Sequence, residues 1–142
     1  MQVEFRECDW FNLWIWIEFQ EHLTEREKQI IDEVFSSWFL LGKLGGFNAT
    51  NLQVLEAGVD VSHFDYDSDS MAGEMMAVMH NISDVEYEGN WARCWVDLGT
   101  ADAIALDTLL NTLYRLSEEY VPIVKVYIGG EQEHWPIDRR YD

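Results

Sequence analysis

The side chains able to carry chemistry in this chain are few and mostly distant from one another. Met75, Met76, Met79 and His80 bring thioethers and an imidazole to helical spacing, a soft donor set that suits copper(I). Methionine at such spacing more often serves as adaptable core packing, and that is the role expected here. His22, His63 and His134 fall at no metal-ligand spacing, so no metal or cofactor is expected. Cys8 and Cys94 are too far apart in sequence to imply a disulfide framework, and they read as unpaired thiols in a reducing compartment. The run Asp65-Tyr66-Asp67-Ser68-Asp69 spaces carboxylates like the start of a calcium loop. Such a loop needs Gly at its sixth position and Glu at its twelfth, where this chain has Ser70 and Met76. Asp97, Glu18 and His80 could do acid–base work only if the fold brought them together. Gly99-Thr100, opening a helix, could hold an anion on free N–H groups, but a lone turn says little. No nucleophile elbow, phosphate loop or zinc pattern is present.

Charge says more than motifs do. The chain has 142 residues, with 27 acidic and nine basic ones, for a formal net charge of −18. Such a surface repels phosphate backbones and anionic lipid headgroups and attracts basic protein patches. Direct nucleic-acid binding is therefore disfavoured, because phosphate neutralisation dominates that affinity. No Lys or Arg occurs between Lys43 and Arg93, an interval that holds nine acidic residues. The longest apolar windows fall far short of a membrane span, and no secretory signal opens the chain, so a cytoplasmic protein without membrane insertion is expected. Hydrophobic residues make up 48% and charged ones 25%, ordinary values for one globular domain over residues 1–142. Seven tryptophans are the departure, and such rings must be either buried or presented to something.

The elements that must position these groups follow from periodicity. Asn12–Phe19 is β-branched and aromatic and too short for a helix, which predicts a strand; Gln2–Arg6 reads as an additional edge strand. Thr24 with Glu27 makes a capping box, followed by Ile31, Val34, Phe35 and Trp38 at helical spacing, until Gly45-Gly46 stops the helix. Leu52–Val59 predicts a second core strand. An acidic insertion follows, about residues 60–89, with a short Met-rich helix over 71–80. Trp91–Leu98 alternates as a strand, and Leu106, Leu109, Leu110 and Leu113 mark a second helix. Val121–Ile128 is the last strand, and residues 131–142 form a polar tail. This order predicts an α+β domain, a ferredoxin-like βαββαβ sandwich with the acidic insertion between its second and third core strands.

In that topology the first and third strands are central. If the helices cover Leu13/Ile15/Ile17 and Cys94/Val96/Leu98, the opposite face carries Trp14 and Trp16 beside Arg93 and Trp95. Two readings of that face stand side by side. Either the chain covers it with its own N-terminal segment, insertion or Trp135 tail, or it is a protein-binding face. Trp and Arg are the residues enriched at binding hot spots. Cys94, on the core side, is expected to be inert.

Several runs taken in order, L-W-I-W-I-E-F, S-S-W-F-L-L-G-K-L-G-G-F-N, M-H-N, E-Y-E-G-N-W-A-R-C-W-V-D-L-G-T and I-G-G-E, resemble a small family of cyanobacteria and plant chloroplasts known as a domain of unknown function. The resemblance implies a cytoplasmic protein of an oxygenic phototroph, or its stromal equivalent. It brings no activity, cofactor or functional residue with it.

The expected function is a non-catalytic accessory, assembly or regulatory factor that docks a basic protein surface. Its candidate contacts are Trp14, Trp16, Arg93 and Trp95 on the sheet, and Asp65, Asp67 and Asp69 in the insertion. A tryptophan face left open also suits a homodimer. The alternatives are a small-molecule or ion-binding regulatory domain and, third, an enzyme of unknown reaction.

Overall fold

A computed structural model of the chain describes residues 1–47 and 77–130. Six strands and two helices are present among them: β1 (Gln2–Phe5), β2 (Leu13–Phe19), α1 (Glu25–Lys43), β3 (Asn81–Ile82), β4 (Glu86–Glu88), β5 (Trp91–Asp97), α2 (Ile104–Glu119) and β6 (Ile123–Ile128). The result is a mixed α+β arrangement built on one sheet. Its order is β1-β6-β2-β5-β3, with β4 also paired to β5.

β2 is central because both of its edges are taken. It runs antiparallel to β5, with Trp14 opposite Trp95 and Trp16 opposite Arg93, and antiparallel to β6, with Trp16 opposite Tyr127. β1, the additional edge strand expected at Gln2–Arg6, lies parallel to β6, so the sheet is mixed rather than wholly antiparallel. The predicted strand at 52–59 lies outside the described residues. Beside β5 stand β3 and β4, two short strands from the stretch read as insertion. That difference has a local cause: Glu86-Tyr87-Glu88 alternates, but three residues are too few to register as a strand in sequence.

α1 begins where the capping box places it. Thr24 Oγ1 accepts from the Glu27 amide at 3.2 Å, and Glu27 Oε1 accepts from the Thr24 amide at 2.8 Å. It ends at Leu44, followed by Gly45 at φ 85°, a left-handed position that only glycine adopts without cost. Both helices pack on one face of the sheet. Leu13, Ile15 and Ile17 meet Ile31, Phe35 and Trp38 of α1 and Leu106, Leu109 and Leu113 of α2 in one buried cluster. Each such aliphatic side chain contributes about 1.5–3 kcal/mol by leaving water. Trp38 Nε1 donates to the Ala105 carbonyl at 2.8 Å and so ties α1 to the start of α2.

Met79 lies in this core, 1% exposed, rather than on a helix: residues 77–80 have no regular structure, and the rest of the predicted 71–80 helix lies outside the described residues. It packs on Gly42 of α1, where its amide also donates to the Gly42 carbonyl at 3.1 Å.

Candidate functional site

Period-two alternation puts Trp14, Trp16 and Glu18 of β2, Trp91, Arg93 and Trp95 of β5, and Lys125 and Tyr127 of β6 on the sheet face away from the helices. The centre of that face is closed. Trp16 is 0% exposed and forms a second buried cluster with Trp91 and Tyr127. Their rings interlock: Trp16 meets Trp91 edge-on at 6.5 Å, and Trp91 stacks on Tyr127 at 6.0 Å. Trp14 and Trp95 are only half-buried, and Trp95 Nε1 donates to Asn12 Oδ1 at 2.6 Å.

Arg93 is woven into the same layer. Its guanidinium lies 5.3 Å from the Trp14 ring centre and 5.4 Å from that of Trp16, and it bonds Glu86 Oε2 of β4 at 2.7 Å. Arg6 lies over the opposite end, 4.6 Å from the Tyr127 ring centre. Cations stacked on ring faces and paired with carboxylates consolidate a layer as well as they recruit a partner. Of the sequence-predicted contacts, the structure brings Trp14, Trp16, Arg93 and Trp95 together. The correction concerns Trp16, which is sealed rather than presented. Asp65, Asp67 and Asp69 lie outside the described residues.

The candidate acid–base residues do not converge. Glu18 stands opposite Trp91, six positions along β5 from Asp97, which separates the two by about 20 Å. Asp97 does meet His80: Asp97 Oδ1 lies 3.3 Å from His80 Nδ1 and accepts the Gly99 amide at 2.9 Å. Phe11 stacks on the imidazole at 6.3 Å. Cys94 sits on the opposite, helix-facing side, where burial pushes its thiol up to about 12. A thiol held protonated in this way is no nucleophile. Among the described residues no group of three or more His, Cys, Asp or Glu side chains is placed to hold a metal ion. No described helix is long and apolar enough to cross a membrane.

An apolar groove lies elsewhere among the described residues. Between α1 and α2 runs a groove of about 390 Å³, floored by Trp38, Leu109 and Phe47 and walled by Ile30, Val34 and Leu41. Ser37, Thr108 and Thr112 are too small to close it. Leu41, which lines it, is 48% exposed. Sequence reasoning passed over this site, although a signal existed. Trp38-Phe39-Leu40-Leu41 is a run of four apolar residues, and at about 100° per residue it cannot all face one core.

No curated protein and no solved structure matches the chain. The family model described as protein of unknown function (DUF3531) matches residues 1–142, and the chain belongs to that family.

Proposed function

We propose that this domain is a non-catalytic accessory, assembly or regulatory factor that binds a protein partner with a basic surface. The observation that carries the reading is an apolar groove among the described residues, with Leu41 exposed on its wall, on a chain of net charge −18. Exposed apolar surface of this kind marks interaction sites, and surplus charge steers a partner of opposite sign. The setting in an oxygenic phototroph, in cytoplasm or stroma, is part of the same proposal and rests on the sequence resemblance alone. A ferredoxin-like core is proposed too. Both helices on one face and central β2 and β5 support it, while the split β3/β4 edge and the parallel β1 depart from it.

The test is capture from a cyanobacterial lysate followed by reconstitution of the complex from two purified proteins. A stoichiometric complex that weakens between about 50 and about 500 mM salt is the expected result. A complex indifferent to salt counts against a charge-steered partner. The groove volume also lies within the range of small-molecule sites, which favours a ligand-binding regulatory domain as the second reading. Native mass spectrometry that finds a small molecule retained, with no protein partner, would move the assignment there.

A further inference from the structure

We infer that the groove between α1 and α2, rather than the tryptophan face, is the docking site, and that its occupant is one amphipathic helix of a partner, bearing Lys or Arg beside its apolar stripe. This rests on the protein-binding reading above and names the site and the partner's chemistry.

Shape supports a helix. Ile30, Val34, Trp38 and Leu41 recur along α1 at i, i+4, i+8 and i+11, so the channel follows about three helical turns, about 16 Å. That length takes a row of apolar side chains spaced i, i+4, i+7, the pattern by which helices seat in grooves. The floor is already packed. Trp38 is held by its bond to Ala105, and Phe47 by its carbonyl, which accepts the Asp102 amide at 2.9 Å. A visitor therefore meets a preformed surface and need not open one.

Charge supports a basic helix over a second copy of this chain. Glu33 is the charged residue among those lining the groove. Arg115 and Lys43 lie toward opposite ends, on α2 and α1. A second copy would bring another −18 against the first, whereas a cationic helix is drawn in.

The probe is a stapled helical peptide of about 14 residues, with Leu at i, i+4, i+7 and i+11 and Lys at the flanking positions, plus a twin with Glu for Lys. Each is titrated into the isotope-labelled full chain and followed by amide shifts. The Lys peptide is expected to move Val34, Leu41 and Thr112, and to bind at least about tenfold more tightly than its twin. Leu41→Glu and Thr112→Trp change exposed positions, and each is expected to weaken binding at least about tenfold with the urea midpoint unchanged. Shifts confined to Trp14 and Trp95 overturn the site while leaving the protein-binding reading intact. So does failure of both peptides where the reconstituted complex still forms. Sedimentation showing a dimer that Leu41→Glu abolishes assigns the groove to a second copy and overturns the inference. Proton contacts between Trp38 and residues 48–76 in the free chain overturn it as well, since the groove would already be filled from within.

Discussion

Gly42 and Met79 offer a test in which two effects of opposite sign compete. A Cβ at Gly42 would stand 2.6 Å from Met79 Sδ and 2.7 Å from its Cγ and Cε, all closer than real contacts allow. Inside a helix, alanine is favoured over glycine by about 0.8–1.0 kcal/mol. Overpacking a filled core costs about 1–3 kcal/mol, and Met79, wholly buried, has nowhere to retreat. The net for Gly42→Ala is a loss of about 1 kcal/mol. Met79→Ala alone removes a buried side chain and costs about 2–5 kcal/mol. In that background the obstacle is gone, so Gly42→Ala is expected to stabilise by about 1 kcal/mol. The sign therefore reverses, with a coupling of about 2 kcal/mol between neighbours. Equilibrium urea unfolding of the four proteins, followed by far-UV circular dichroism, measures it. If Gly42→Ala stabilises both backgrounds equally, Met79 does not rest on Gly42 and the junction of residues 77–80 with α1 is wrong.

Four further expectations concern other parts of the molecule. Gly99→Ala is expected to cost about 3 kcal/mol in urea unfolding, because φ is +58° and a Cβ would collide with the Val78 carbonyl oxygen. For Cys94, burial raises the folded thiol to about 12 from an ordinary 9.0, so the unfolded chain ionises first and stability falls as pH rises above about 9. The Cys94 loss is at most about 1.4 kcal/mol per pH unit, and Cys94→Ala should reduce the slope between about pH 9 and 10, leaving the part due to Cys8, whose thiol is also raised by burial; Tyr87, raised by burial too, contributes at higher pH. Tyr87→Phe removes the hydroxyl that donates to Asp32 Oδ1 at 2.7 Å and should cost about 1–2 kcal/mol in the same assay, loosening β4 from α1. Trp16→Ala is expected to cost about 3–5 kcal/mol and half-buried Trp95→Ala clearly less; equal losses would contradict the sealed centre of the tryptophan layer.

Much of the scaffold was legible because it follows from local rules. The capping box at Thr24, the glycines after Lys43, the alternation of β5 and the leucine stripe of α2 each declare themselves within about a dozen residues. The paired face of Trp14, Trp16, Arg93 and Trp95 was legible too, since strand period and topology place it. Whether that face is covered is decided by atoms distant in sequence. Trp91 and Tyr127, which pack with Trp16 in one buried cluster, gave no local sign of meeting it. β3 and β4 escaped because β5 supplies the pairing that strands of two and three residues cannot announce. The groove is a gap between two helices, and Ser37, Thr108 and Thr112 look like ordinary surface residues until the helices are docked.

The position of β6 has a consequence for synthesis. Ile15 meets Ile128 and Val3 meets Val126, so the first strands made wait for β6, the last made among the described ones. While the ribosome is still working, one edge of an apolar β2 stays unpaired, and pairings that distant in sequence form slowly. A nascent chain of this design stays open to aggregation until residues near 128 leave the exit tunnel, which makes early termination more damaging here than in folds assembled from adjacent pieces.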